Sequence, residues 1–111
     1  MALDPTTLLS SMVSAGQNLG GTLWTDMQHY AVPELQKIAI QIVAIEASML
    51  QPSPPYTPAG AQALLTMQLT ASVGVIVAMT TLTLLAVQAA INSILSSIKT
   101  MVNNALSFPL I

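Results

Sequence analysis

The feature that most constrains this sequence is its long uncharged segment, because residues 47–98 contain no Asp, Glu, Lys or Arg. Charged residues make up 5% of the whole chain, against roughly 25% in a typical globular domain. Hydrophobic residues make up 53%, so an isolated monomer has little with which to solvate its outer surface. A single small domain exposes much of that surface. We therefore expect lipid, or further copies of the same chain, to cover it.

The same composition excludes several classes of protein. Disorder requires low hydrophobicity and high net charge, whereas the formal net charge here is −2. The only two cations, Lys37 and Lys99, are too few to neutralise nucleic-acid phosphates, so direct sequence-specific nucleic-acid binding is not expected. Cysteine is absent, which excludes disulfides and thiolate metal sites. The segment from Met1 to Pro5 lacks a basic region, so we do not expect it to act as a secretory signal.

Helical signals dominate the first half of the chain. Asp4-Pro5 is typical of a helix start, because Asp caps free N–H groups and Pro fits the first helical position. Gly20-Gly21 is predicted to weaken or bend this helix, and Pro33 to kink or restart it. Farther on, hydrophobic residues three and four positions apart predict a buried heptad seam. The seam consists of Leu35, Ile38, Ile42, Ile45 and Met49.

A proline-rich turn separates this half from a second one. The turn, residues 51–58, reads QPSPPYTP, and its four prolines in seven residues do not allow a helix to continue. Thr57-Pro58 repeats the earlier start signal, and the second helix is expected to run without interruption to about Asn104. Its most apolar part, Ser72–Leu95, exceeds the roughly 20 residues that a membrane-spanning helix needs. A second buried stripe is predicted at Val87, Ile91, Ile94, Ile98, Met101 and Ala105.

Together these signals predict an all-α chain with one structural unit. The predicted fold is a long helical hairpin with a kinked first arm over residues 5–50, the turn at 51–58 and a second arm over 58–106. At about 1.5 Å per residue, each arm would reach ~70 Å if it were straight.

Side chains suited to catalysis are scarce. The one histidine, His29, lies three positions after Asp26 and could share a helical face with it, but no third residue completes a nucleophile, base and acid arrangement. His29 and Glu34 are five apart and lie on different faces, which disfavours a metal site. We therefore expect no enzymatic activity, no metal and no catalytic cofactor.

Small residues four positions apart are the main interaction signal, because such pairs let two helices approach closely when lipid removes the hydrophobic driving force. The candidate packing residues are Gly16 with Gly20, Gly74 with Ala78, Ala86 with Ala90, and Ser93 with Ser97.

The few charged residues give a second set of candidates. Glu34 and Lys37 are spaced to pair along the first arm, and Glu46 is expected to lie off the seam on a solvated or interfacial face. Lys37 and Lys99 are candidate cations for lipid headgroups or for a channel lumen. Three aromatic residues are candidates for a membrane interface: Trp24, Tyr30 and Tyr56.

Two hydrophobic arms of nearly equal length around residues 51–58, in a charge-poor chain, resemble the pilins of conjugative, type IV secretion-type pili, including their archaeal DNA-import relatives. The resemblance is architectural. It implies subunits that rest in the membrane and are extracted into an extracellular tube, commonly with bound phospholipid. The chain departs from the pattern in having longer arms and no visible cleavable leader. Needle subunits of type III secretion also form hairpins, but they are much more polar.

The sequence thus favours a structural subunit that self-associates into a helical homopolymer, membrane-bound before assembly and extracellular afterwards. Conjugation or DNA transfer is the setting that the resemblance implies. A coat protein of a filamentous or lipid-containing virus shares most of these features. So does a small integral membrane protein, and both alternatives stay open at this point.

Overall fold

The computed structural model describes residues 3–111, and within that range it is all-α, with five helices and no strand. This confirms the predicted fold class. The helices are α1 (Pro5–Gln17), α2 (Leu23–Met49), α3 (Pro58–Met79), α4 (Leu84–Ser96) and α5 (Lys99–Leu106).

Two helices begin where the sequence predicted, and for the predicted reason. The Asp4 carboxylate accepts a hydrogen bond from the Thr6 N–H at 3.0 Å, and Pro5 occupies the first position of α1. The Thr57 hydroxyl accepts one from the Gly60 N–H at 3.1 Å at the start of α3. Each cap satisfies a backbone donor that has no partner within its own helix.

The prediction of an uninterrupted second helix was wrong. Helix α3 ends at Met79 and α4 begins at Leu84, although no Gly or Pro lies between them. The Thr80 hydroxyl donates to the Ile76 carbonyl at 2.7 Å and accepts from the Leu82 N–H at 3.2 Å. These hydroxyl contacts give the backbone partners outside the helical ladder, and they stabilise the break. The predicted span Ser72–Leu95 is therefore interrupted.

A further bend divides the end of this arm, where α4 and α5 meet at 59°. In the first arm, α1 and α2 are separated at Gly20-Gly21, and Gly21 has a φ of +67°, which glycine adopts readily.

Helix α2 runs through Pro33 without a restart, so the restart that Pro33 was predicted to impose does not occur. Pro33 has no N–H to donate to the His29 carbonyl. Both residues are exposed, so water can hydrogen-bond to that carbonyl. The kink at Pro33 stays a prediction.

The five helices pack into a short bundle. Helix α2 contacts α1, α3 and α5, while α4 contacts α1, α3 and α5. The described chain measures 45 × 22 × 18 Å, so arms reaching ~70 Å are not formed. The arms are shorter than predicted because each is broken, at Gly20-Gly21 in the first arm and at residues 80–83 in the second.

The predicted heptad seam forms the centre of the core. Leu35, Ile38, Ile42 and Ile45 are all 0% exposed, and Met49 is partly buried. On the second arm, four members of the predicted stripe are buried: Val87, Ile91, Ile94 and Ile98. Met101 is exposed, because α5 turns away from the axis of α4.

The Asn103 side chain holds the last residues of the chain against α5. Its carbonyl oxygen accepts from the N–H groups of Leu110 at 2.9 Å and Ile111 at 3.1 Å, and its amide donates to the Ile111 carbonyl at 3.3 Å. The same tail reaches α3, where the Gln62 amide donates to the Pro109 carbonyl at 2.6 Å. Buried Leu110 is thereby kept in the core.

Replacing Asn103 by alanine is expected to release this tail and to lower stability by about 1–3 kcal/mol, since each lost hydrogen bond contributes about 1 kcal/mol. Hydrogen exchange at the Leu110 and Ile111 amides should speed up. Exposed Asn104 provides the matched control, and Asn104→Ala should leave these amides protected. Asn103→Asp keeps the acceptor and should retain much of the protection. Unchanged exchange in Asn103→Ala would contradict the role.

Candidate functional site

The residues considered for catalysis are not brought together. Asp26 accepts a hydrogen bond from the Thr22 hydroxyl at 3.2 Å, while the His29 ring packs edge-on against Tyr30 with centroids 4.9 Å apart. Within residues 3–111, no group of three or more His, Asp or Glu is placed to hold a metal ion. Asp26 and His29 therefore contact different partners.

The candidate cations lie in different settings. Lys37 donates to the Glu34 carboxylate at 2.8 Å, which confirms the predicted pair. The Glu34 side chain is only 5% exposed, whereas that of Lys37 is 58% exposed and covers it from the solvent side. Lys99 is exposed at the first residue of α5. A lipid-headgroup or lumen role for Lys37 and Lys99 stays a prediction.

Glu46 was predicted to lie on a solvated or interfacial face, and this was wrong, because its side chain is buried and the residue is only 3% exposed. One carboxylate oxygen accepts from the Leu3 N–H at 2.7 Å. The other oxygen has no hydrogen-bond partner among residues 3–111. The carboxylate thus fixes the start of the described chain against the end of α2.

The first pair of candidate packing residues divides between two settings. A Cβ built at Gly16 would lie 2.8 Å from Cη2 of Trp24 and closer still to Cε3 and Cζ3, so this glycine makes room for the indole ring. Trp24 is 8% exposed and belongs to the core, not to the exposed surface that a membrane interface requires. Gly20 is exposed and has no heavy atom within 4 Å of such a Cβ.

The other three pairs also divide between core and surface. Ala90 is buried and Ala86 is partly buried, so that pair packs within the chain. The remaining four residues are exposed and available for contacts outside the described chain: Gly74, Ala78, Ser93 and Ser97.

The outer side of α3 is exposed. Exposed residues recur at four-residue intervals along the whole helix and form a row that we call the outer ridge. The outer ridge consists of Ala63, Met67, Ala71, Val75 and Met79. Met67 is 68% exposed and Met79 55% exposed. Leu84 and Leu85, at the start of α4, are exposed as well.

Helix α3 is also long and apolar enough to cross a membrane. It has 22 residues and a mean hydropathy of 1.6 over its most apolar window, of which 22% is buried within the chain. The bent pair α4 and α5 passes the same test when both are taken as one span. Core helices of soluble proteins can also pass, so length and composition leave the setting of α3 open.

A groove of about 590 Å³ lies beside the outer ridge, between α3 and α4. We call it the α3–α4 groove. Its apolar lining comes from Leu69, Val73, Leu84 and Ile91. Hydroxyl, amide and glycine positions complete it: Thr66, Thr70, Gly74, Gln88 and Asn92. Its volume is within the range of small-ligand pockets, but none of these side chains is ionisable.

Sequence reasoning missed the α3–α4 groove because it treated α3 and α4 as one helix. Within one continuous helix, Thr66 and Gln88 would lie far apart. The four-residue spacing of Thr66, Thr70 and Gly74 was visible in the sequence, as was that of Leu84, Gln88 and Asn92. Only the fold back at residues 80–83 makes the two rows face a common space.

Comparison of the chain with models of known protein families, with curated proteins and with solved structures gave no match. The site is therefore interpreted from its own residues. It contains an exposed, uncharged apolar ridge and an uncharged groove next to it. Such surfaces bind apolar partners by burial and shape.

Proposed function

We propose that this chain is a structural subunit, of the pilin type, that assembles from a membrane pool into an extracellular helical filament, with phospholipid as an associated component. The observation that carries the proposal is the exposed outer ridge of α3, which runs from Ala63 to Met79 without a charged residue. Monomeric soluble proteins rarely expose large contiguous apolar patches unless the patch binds something.

The distribution of charge supports self-association over binding to an ionic partner. Both rows that line the α3–α4 groove and the whole outer ridge lie within the uncharged segment 47–98. An acidic or basic partner would find no counter-charge there. Contact between two copies of this uncharged surface requires no counter-charge. It is favoured by the burial of apolar area, which contributes about 25 cal/mol per Å².

A small integral membrane protein is the second candidate, and α3 is the observation that favours it. At about 1.5 Å per residue, its 22 residues extend about 33 Å, which matches a hydrocarbon core of about 30 Å. The first proposal also places the subunit in a membrane before assembly, and this requires the same long apolar helix α3. The two proposals therefore differ in whether filaments form, not in whether α3 contacts lipid.

Electron microscopy of detergent-free material shed from cells that express the chain tests the proposal. Uniform filaments that contain this chain and phospholipid, but no nucleic acid, are the expected result. Nucleic acid enclosed in such particles would instead indicate a viral coat protein. If no filaments form and the chain remains in the membrane fraction, the proposal is overturned in favour of the integral membrane protein.

A further inference from the structure

We propose that residues 80–83 become helical during assembly, so that α3 and α4 join into one helix, and that α4 and α5 of one copy then pack into the core of the next copy. This exchange rests on the proposed filament function, and it specifies how two copies are joined. The surface that receives the segment is known from the single chain, where α4 packs against α1 and α3, and α5 packs against α2. The partner is therefore the same segment of a second copy.

The break at residues 80–83 contains nothing that prevents a helix. It consists of three threonines and one leucine, without Gly or Pro, and threonine is only mildly unfavourable in a helix. Thr80 and Thr83 are extended, with φ of −125° and −76°, and none of the four residues has a positive φ. The break between α1 and α2 differs, since Gly21 there has a φ of +67°.

The hydrogen bonds of the break have direct replacements in a joined helix. The Leu82 N–H donates to the Thr80 hydroxyl at 3.2 Å. The Ala86 N–H donates to the Thr83 hydroxyl, also at 3.2 Å. In a helix each N–H donates instead to the carbonyl four residues earlier. The contact from the Thr80 hydroxyl to the Ile76 carbonyl, at 2.7 Å, spans four residues and also forms within helices. Joining α3 to α4 therefore leaves neither N–H without a partner.

Opening without a partner is unfavourable, because the buried side of α4 and α5 would lose its cover. Five of its residues are at most 1% exposed in the bundle: Val87, Ile91, Ile94, Ile98 and Val102. Packing this side into a second copy restores the same contacts, because the two chains are identical. Exchange of an identical element between copies is a low-cost route to association. It is therefore favoured where copies are concentrated, as they are in a growing filament.

The exchange has a consequence for the form of the assembly. A copy that places α4 and α5 in its neighbour leaves a vacant position in its own core, which the segment of a further copy fills. Such head-to-tail contacts continue from copy to copy and give rings or open helical filaments. The joined helix, from Pro58 to Ser96, would be about 58 Å long at about 1.5 Å per residue, longer than the 45 Å of the closed chain.

Leu84 allows one substitution to separate the two states. It is the first residue of α4, a position that favours proline, and the preceding Thr83 is extended, as a residue before proline prefers to be. Leu84→Pro is therefore compatible with the closed bundle. Within a joined helix the same proline lacks the N–H that the Thr80 carbonyl requires, and its ring clashes with that carbonyl. The substitution should disfavour the joined helix by about 100-fold or more.

We expect Leu84→Pro to abolish filaments while the far-UV circular dichroism of the dispersed chain stays that of the unmodified one. Leu84→Ala is the matched control, because it removes the same half-exposed side chain and leaves the helix free to form. Leu84→Ala should still assemble. Filaments of Leu84→Pro in normal number and length would overturn the exchange.

The contact between α3 and the last residues of the chain reports which copy supplies them. The Gln62 amide donates to the Pro109 carbonyl at 2.6 Å within the closed chain, and after exchange this contact lies between two copies. Copies that carry Gln62→Cys are assembled with copies that carry Pro109→Cys, and a short bis-maleimide is added, since the chain has no cysteine of its own. A cross-linked dimer is expected, and it should be lost when both copies also carry Leu84→Pro. An equal yield in that background would overturn the exchange.

The exchange and the filament function fail in distinguishable ways. Filaments of the otherwise unmodified cysteine variants that give no mixed cross-link would overturn the exchange and leave the filament function standing. If the unmodified chain forms no filaments, the function itself fails, and the exchange proposed to build them fails with it.

Discussion

Replacing Ile42 by alanine is expected to lower the free energy of unfolding by about 2–5 kcal/mol. Ile42 is fully buried at the centre of the α2 seam, between Ile38 and Ile45, which are also fully buried. The substitution removes apolar atoms from the core and leaves a cavity that the surrounding helices fill only in part. A domain of this size has a total stability of about 5–15 kcal/mol, so the loss is a large fraction of it.

Ile40 provides the matched control, because it is the same residue type, two positions away on the same helix, but 53% exposed. Ile40→Ala should change the free energy by no more than about 0.5 kcal/mol. Urea unfolding followed by far-UV circular dichroism measures both variants, with the chain dispersed in one mild detergent at one concentration. Equal losses for the two variants would contradict the assignment of α2's buried face.

The sequence correctly predicted two helix starts and the buried face of α2, because residues within one or a few helical turns determine these features. The starts of α1 and α3 follow from Asp4-Pro5 and Thr57-Pro58, because a cap and a proline act within one helical turn. The α2 seam follows from hydrophobic spacing, because only one helical face can place all its members together. Neither prediction requires knowledge of what packs against the helix.

The break between α3 and α4 could not be predicted in this way. Threonine is only mildly unfavourable in a helix, and the segment 80–83 contains three of them but no Gly or Pro. The break is favoured by tertiary packing, because the turn at residues 80–83 lets α4 bury Val87 and Ile91 in the core beside α1 and α3. Contacts between segments that are distant in the sequence cannot be predicted from the residues around the break alone.

The same limit applies to the candidate site. Spacing marked Gly16 and Gly74 equally as packing residues, yet Gly16 packs against Trp24 inside the chain and Gly74 lines an open groove. Glu46 is charged and was predicted to be solvated, but it is buried against the Leu3 N–H. A four-residue repeat identifies a face of a helix, and only the fold decides whether that face points inward.

The contrast between the two glycines has an energetic consequence. Gly16→Ala is expected to lower the free energy of unfolding by about 1–3 kcal/mol, the usual cost of inserting a methyl group into a packed core. The new Cβ would lie within 3.0 Å of three atoms of the Trp24 ring, a separation that real Cβ atoms essentially never show. The ring or α1 must therefore shift. The gain in helix propensity from alanine, about 0.5–1 kcal/mol, offsets only part of this cost.

A double-mutant cycle with Trp24→Leu isolates the contact, because a leucine side chain removes the ring that blocks the methyl group. In that background Gly16→Ala should be neutral or slightly stabilising, which gives a coupling free energy of about 0.5–3 kcal/mol. Gly20→Ala is the control, since its Cβ meets nothing within 4 Å, and it should change stability by less than about 1 kcal/mol. The same urea unfolding measures all four combinations. If Gly16→Ala costs as much in the Trp24→Leu background as in the unmodified chain, the indole ring is not what requires glycine at position 16.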